Sequence, residues 1–371
     1  MRLPVGVLLC GLLPVLAQPA AGVRNRRLEA AVEAERVRQG VVGLTIAAAM
    51  QGTRRWSGAF GKADLENDVP VRVSTLFRSG SLAKPITATA ALQLWERGKL
   101  DLDAPVQKYV PSFPEKPWRI TVRLLLGHLG GIRSYRGEEL DSTHHYTDIL
   151  GPLRMFSADA LAHAPRSKYL YSSYGFNLVG AAVEAAAGEP FLEYLEENIF
   201  RIAKMESTRD DDTREIVPNR TRWYSRTKNG QIINAPLADT SNKIPGGGML
   251  TTAEDLLRFA GAWEQEKLLK RSTMRMQTER QKLADGSATG YGLGWNVSPI
   301  AGKSAISHSG NVHGCRSLLV LFPESKTTIA VLSNSDFADA VKFVEIVLKT
   351  MEPQSNVSRV NSVRGVVARP N

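Results

Sequence analysis

Ser81-Leu82-Ala83-Lys84 sets a hydroxyl and an amine three residues apart, a spacing that puts both on one face of a helix. A serine hydroxyl is a weak nucleophile until a neighbouring base takes its proton. Lysine can be that base when it is desolvated, because burial lowers its pKa readily. A helix opening at Ser81 adds the positive end of its dipole, which favours a developing oxyanion, and Pro85 is tolerated in a first turn. The same spacing recurs at Ser225-Arg226-Thr227-Lys228, before Asn229-Gly230. That copy sits in a polar turn and reads as chance, whereas Ser81 opens a long apolar stretch.

Two further sequences extend the constellation. Tyr171 lies in Tyr169-Leu170-Tyr171-Ser172-Ser173-Tyr174-Gly175, and a tyrosine near the lysine can shuttle a proton between nucleophile and leaving group. His308-Ser309-Gly310 reads as the end of a strand, whose edge can pair with the backbone of an extended acyl substrate. The N–H groups of Ser81 and Asn311 are then the candidate oxyanion hole. Other candidates are weaker. His144-His145 stands among Ser142, Thr143 and Asp148 and reads as an exposed loop rather than a metal site, and His128 reads as a structural hydrogen-bonder. Gly246-Gly247-Gly248 lacks the lysine and the spacing of a phosphate loop. Asn219, Asn296 and Asn356 open glycosylation sequons, meaningful only in a eukaryotic secretory pathway. No cofactor and no metal are expected.

These residues need a frame. A charged amphipathic helix is expected over 25–39, a buried strand over Val41 to Met50, and its hairpin partner over Arg54 to Gly61. A helix is expected from Ser81 to Arg97, stopped by Gly98, and helical segments with proline-rich loops from Asp101 to about Asn242. Thr251-Thr252-Ala253-Glu254 reads as a capping box. Strand signals return at Gly292–Val297, Ala305–His308, Ser317–Phe322 and Thr328–Ser333, before a helix from Ala338 to Met351. Strands at both ends and helices between them predict an α+β fold: an antiparallel sheet built from both termini and covered by helices, with an inserted mainly helical part and a cleft between. The expected division is an α/β part at about 24–80 and 243–353, a helical part at about 81–242, and a loose tail at 354–371.

The 371 residues include 43% hydrophobic and 23% charged residues, which excludes a disordered, collagen-like or coiled-coil chain. Cys10 and Cys315 alone exclude a disulfide scaffold or a cysteine zinc site. The formal charge of +10 is spread without a basic run or a nucleic-acid motif, so no nucleic-acid partner is expected. Met1-Arg2, an apolar run from Leu3 to Leu16 and small residues from Ala17 have the layout of a secretory signal peptide cut after Ala17. The expectation is an exported protein, periplasmic or secreted, with no membrane span once the leader is removed.

The stretch Phe77-Arg78-Ser79-Gly80-Ser81-Leu82-Ala83-Lys84 resembles the first motif of the serine β-lactamase/penicillin-binding-protein superfamily, in its class C-like branch. Similar framework segments are 96–103, Leu125-Leu126-Gly127-His128-Leu129-Gly130-Gly131-Ile132 and 246–256. Residues 109–116 and 128–135 look most like its mitochondrial-type members, and the resemblance covers roughly residues 25 to 335. It implies Ser81 as acylated nucleophile, Lys84 as base partner, Tyr171 as proton shuttle, and His308-Ser309-Gly310 in the place of the family's Lys-Thr-Gly. It implies no metal. Two departures stand out: Ser173 replaces the usual asparagine and lacks the amide's fork, and His308 replaces lysine, so its charge is expected to depend on pH. Both weaken a site for a β-lactam's carboxylate and amide. The reading is therefore a serine hydrolase acting through an acyl-enzyme on a small-molecule or peptide substrate, amides before esters. The alternatives are a β-lactamase or carboxylesterase on the same scaffold, or a non-catalytic protein that binds peptides or wall fragments. Oligomeric state is left open.

Overall fold

The computed structural model describes residues 21–51 and 54–351, so the expected leader at 1–17 and tail at 354–371 lie outside the described residues. The chain starts with α1 (Ala21–Gln39), the hairpin β1 (Gly43–Met50) and β2 (Arg54–Asp64), and two short strands, β3 (Val69–Pro70) and β4 (Phe77–Arg78). A 3₁₀ turn at Gly80–Leu82 leads into α2 (Ala83–Glu96), α3 (Val122–Leu126), α4 (Ser173–Ala187), α5 (Phe191–Leu195) and α6 (Arg201–Ala203). Next come β5 (Arg209–Asp210), β6 (Tyr224–Arg226), β7 (Ile232–Asn234), α7 (Ile244–Gly247) and β8 (Met249–Thr251). Helices α8 (Ala253–Glu264) and α9 (Arg271–Thr278) precede β9 (Asn296–Val297), β10 (Ile306–Val312), β11 (Cys315–Phe322), β12 (Thr327–Ser333) and α10 (Ala340–Met351).

The main sheet is antiparallel in the order β3-β2-β1-β12-β11-β10-β9. Its register sorts the side chains into two faces, because successive residues of a strand point opposite ways. Ile46, Val331, Leu318 and Val320 join Leu28 and Val32 of α1 and Phe343 and Val347 of α10 in one buried cluster. Ala47, Ala330, Leu319 and Leu321 join the core that includes α2, α4 and α8. These strands therefore read as near-continuous apolar runs, buried on both sides.

Helix α2 is buried on every side from Ala83 to Leu94, and α4 from Ser173 to Val183. A helix buried all round belongs to a core rather than to a surface. Gly180 of α4 allows close approach to Pro245 of α7. Ser172 caps α4 by accepting from Gly175 N at 3.0 Å, and Thr121 caps α3.

Several expected boundaries differ from those observed. Ser81 stands in a 3₁₀ turn, and the α-helix begins only at Ala83. The cap of α8 is Thr252, bonded to Asp255 N, and not a box from Thr251 to Glu254. The stretch Gly292 to Trp295 is no strand, because Leu293 N donates to Gln277 O and Gly294 N to Leu126 O, away from the sheet. His308-Ser309-Gly310 does not end a strand; β10 continues through it to Val312, paired along its length with β11.

The α4–α7 contact is tight enough to test. A Cβ added at Gly180 would stand 2.3 Å from Pro245 Cγ. Gly180→Ala is expected to cost about 1–3 kcal/mol through overpacking, more than the roughly 0.5–1 kcal/mol alanine gains in a helix. Thermal unfolding checks it: a lower Tm is expected, and an unchanged Tm would contradict this packing.

Candidate active site

The segment before Ser81 is pinned from two sides. Strand β4 pairs with β8, and Ser79 N donates to Met249 O. Arg78, buried, forms an ion pair with buried Asp211 at 2.7 Å. From β11, Ser317 Oγ donates to Ser79 O at 2.6 Å and Cys315 Sγ to Arg78 O at 2.9 Å. Gly80 then takes φ +52°, a left-handed conformation that glycine adopts without strain, and the chain turns so that Ser81 is half-buried.

Lys84 lies one turn on and is fully buried. Its Nζ donates to Ser81 Oγ at 3.0 Å, Ser173 Oγ at 3.1 Å and Gly246 O at 2.6 Å. None of these partners is a carboxylate. Burial without a counter-charge pulls its pKa from that of an ordinary lysine down to about 7. When the amine is neutral it keeps two N–H groups and gains a lone pair. The Gly246 carbonyl can only accept, so one N–H stays there and the Ser81 hydroxyl can turn to donate to Nζ, the geometry of a general base and its nucleophile.

Tyr171 runs over this pair, with Lys84 Nζ 4.9 Å from its ring centroid. Burial raises its phenol above the ordinary range, and a hydrogen bond with Ser81 offsets part of that rise. His128 holds the tyrosine in place: its carbonyl accepts from Leu170 N at 3.0 Å, its Nδ1 accepts from Ser172 N at 3.1 Å, and its ring lies 4.3 Å from that of Tyr171. Because Nδ1 accepts, Nε2 carries the proton. Burial, with the nearby Lys84 charge, holds His128 neutral. Ser173, the first residue of α4, also hydrogen-bonds the Tyr135 phenol.

On the sheet side, His308 Nδ1 donates to Ser309 O at 2.8 Å, so Nε2 accepts from Tyr291 O–H at 2.8 Å. Burial and then the Lys84 charge lower the pKa of His308 to about 3. The pH-dependent cation expected here is thus absent near neutrality, for lack of solvent and of a counter-charge. Ser309 is exposed and, with Arg316 and Phe337, lines a groove beside α10. At Gly310 a Cβ would fall 2.4 Å from Ser79 O and 3.0 Å from Ser81 N, and one at Gly80 would fall 3.2 Å from Asn311 N. Bare backbones at 80 and 310 let the Ser81 and Asn311 amides share one corner. Strand β9 pairs only with Ile306 and Ser307, so from His308 onward the outer edge of β10 has no strand beside it.

The structure thus gathers Ser81, Lys84, Tyr171, Ser173, His308, Gly310 and Asn311, while the side chain of Ser309 lies elsewhere. Sequence reasoning missed Tyr291, Tyr135 and the Gly246 carbonyl; Tyr135 and Gly246 lie in the framework segments named above, and nothing marks Tyr291. His145 pairs with Asp239 at 2.9 Å. Among the described residues no group of three or more His, Cys, Asp or Glu side chains is placed to hold a metal ion, and no helix is long and apolar enough to cross a membrane.

The Beta-lactamase family model matches residues 26–347. The chain is similar to the mitochondrial serine beta-lactamase-like protein LACTB of Homo sapiens, 30% identical over 78% of this chain and 70% of that one. It is similar to a penicillin-binding protein of Bacillus subtilis (strain 168), 27% identical over 83% of this chain and 71% of the relative. Among solved structures, D-amino acid amidase from Ochrobactrum anthropi SV3, complexed with D-phenylalanine, superposes with a TM-score of 0.77 at 22% identity, covering 88% of this chain and 98% of that one. That likeness shows a shared fold, in agreement with the α+β expectation.

Two measurements probe the geometry. With Lys84 as base, the reactive form is the neutral amine, whose population grows as pH rises through about 7. The rate of Ser81 labelling by a fluorophosphonate is expected to climb through that pH and level off above it; a flat profile would remove Lys84 from the role. His128→Ala should release Tyr171 and slow amide turnover by about 100-fold, the scale of a misplaced group. An activated ester, which needs less help for its leaving group, should lose less, and His128→Asn should recover part of the loss. Equal losses on both substrates would make His128 merely structural.

Proposed function

This chain belongs to the beta-lactamase family, and from that premise we propose that it is an exported serine hydrolase acting through an acyl-enzyme on peptide amides or esters, with peptide amides favoured. A serine hydrolase of the β-lactamase and penicillin-binding-protein type is what the family gives; the substrate preference, the residue roles and export are the proposal. The carrying observation is Lys84: sealed in the core, bonded to Ser81, Ser173 and Gly246 O, and lowered to a pKa of about 7.

Ser81 Oγ attacks the acyl carbon as its proton passes to Lys84 Nζ. The oxyanion takes hydrogen bonds from the N–H groups of Ser81 and Asn311. As the carbon–nitrogen bond breaks, Tyr171 O–H protonates the leaving nitrogen and regains a proton from Lys84. Water then attacks the Ser81 ester, gives its proton to the same relay, and the serine returns to its hydroxyl form. Two features support amides over β-lactams. Ser173 supplies one hydroxyl where an asparagine would supply a fork, and neutral His308 supplies no cation for a carboxylate. Export rests on the residue pattern of positions 1–22, outside the described site.

A fluorophosphonate probe tests the assignment. Ser81→Ala is expected to abolish labelling. Ser225→Ala should label as the parent does, since Ser225 Oγ is bonded to Asp336 on a short peripheral strand. Equal labelling of both variants would refute the nucleophile. A panel of aminoacyl and peptidyl amides, p-nitrophenyl esters and nitrocefin then ranks the substrates; nitrocefin turned over fastest would overturn the preference.

A further inference from the structure

Behind the wall that carries Gly246 lies a second cavity, of about 270 Å³. Ile149, Pro152, Phe191, Leu192, Ile244 and Pro245 give it apolar walls. Its polar lining includes five carboxylates and, beside them, Arg214 and His145. Asn177 and Asn242 are 1% and 0% exposed, and each has a side-chain Oδ1 with no hydrogen-bond partner. Buried polar atoms of this kind are rare and call for an explanation.

The charges are unevenly matched. Asp211 is paired with Arg78 and Arg220, Asp212 with Arg214, and Asp148 accepts from the Leu150 and Gly151 amides. The Glu184 carboxylate accepts only from Phe191 N among the described hydrogen bonds. Asp210 has its nearest cation, Arg209, at 3.9 Å, and burial holds its carboxyl above the ordinary range. An apolar box with under-matched carboxylates suits a ligand that brings a positive charge and a hydrocarbon body.

The cavity also touches the chemistry. Ile244 and Pro245 face it, Pro245 O accepts from Thr87 Oγ1 of α2 at 2.8 Å, and the next carbonyl, Gly246 O, accepts from Lys84 Nζ. We propose that this cavity is a second binding site, for a small ammonium ion with an apolar body, and that its occupancy is felt at Lys84 through the Ile244–Gly247 turn. The leaving group of an amide is of the same chemical class, so a released amine is a natural occupant.

Phenethylamine is the probe. Calorimetry on the Ser81→Ala protein, which is independent of turnover, is expected to show saturable binding. Asp210→Asn should weaken it about tenfold or more, the scale of one lost charge-assisted contact, and Leu192→Trp should fill the cavity and abolish binding. Without amine, Asp210→Asn should take up the fluorophosphonate at the parent rate and Leu192→Trp should unfold cooperatively on heating, which shows that both fold. Parent protein already phosphonylated at Ser81 should still bind, and amine added before the probe should change the labelling rate. No saturable heat, binding indifferent to both variants, or binding lost on phosphonylation would each overturn the site, the last by placing the amine at Ser81. Binding with an unchanged labelling rate would overturn the coupling.

Discussion

An amine enclosed in protein with no carboxylate beside it is the constraint from which the rest of this architecture follows. Burying a charge without a partner is costly, so the group sheds its proton more easily. Lys84 can be buried because α2 is surrounded on all sides, and its partners come from three separate elements: the 3₁₀ turn, the start of α4 and the α7 turn. Any other positive charge in the same space would raise the cost again. Both neighbouring imidazoles, His128 and His308, are held neutral with Lys84 among the causes, and each is locked into one tautomer by a single-purpose hydrogen bond.

At the corner beside Ser81 the sheet contributes bare backbone. Strand β10, past the end of its pairing with β9, carries Gly310 against Ser79 and Ser81, and only a residue without a Cβ permits that approach. The same crossing needs Gly80 in a left-handed turn. Two glycines on distant parts of the chain therefore set the distance between the amides that would receive an oxyanion. The neighbouring Cys315 and Ser317 hold the crossing in register by bonding the carbonyls at 78 and 79.

Much of this was legible in the residues because it depends on local pattern. The Ser81–Lys84 spacing, the apolar runs of β1, β11 and β12, and the glycine stop after α2 follow from periodicity and turn chemistry. What was not legible depends on partners far along the chain. Gly292 to Trp295 has strand-like composition, yet its amides are claimed by Gln277 and Leu126. His308 looks titratable until Tyr291 and the surrounding core are placed around it. The acceptor at Gly246 is a carbonyl, which no side-chain motif announces. The cap at Thr252 rather than Thr251 turns on which hydroxyl faces the Asp255 amide.

The pairing of β1 with β12 joins Ile46 to Val331, strands from opposite ends of the chain. Closing so long a loop is slow compared with forming local helices. During synthesis the Ser81–Lys84 pair emerges long before β10 and β11, which complete the oxyanion corner and fasten residues 78 and 79. A nascent or truncated chain therefore carries the proposed nucleophile without the corner that would receive an oxyanion, and on this proposal reactivity is withheld until the last third of the polypeptide has been made and docked.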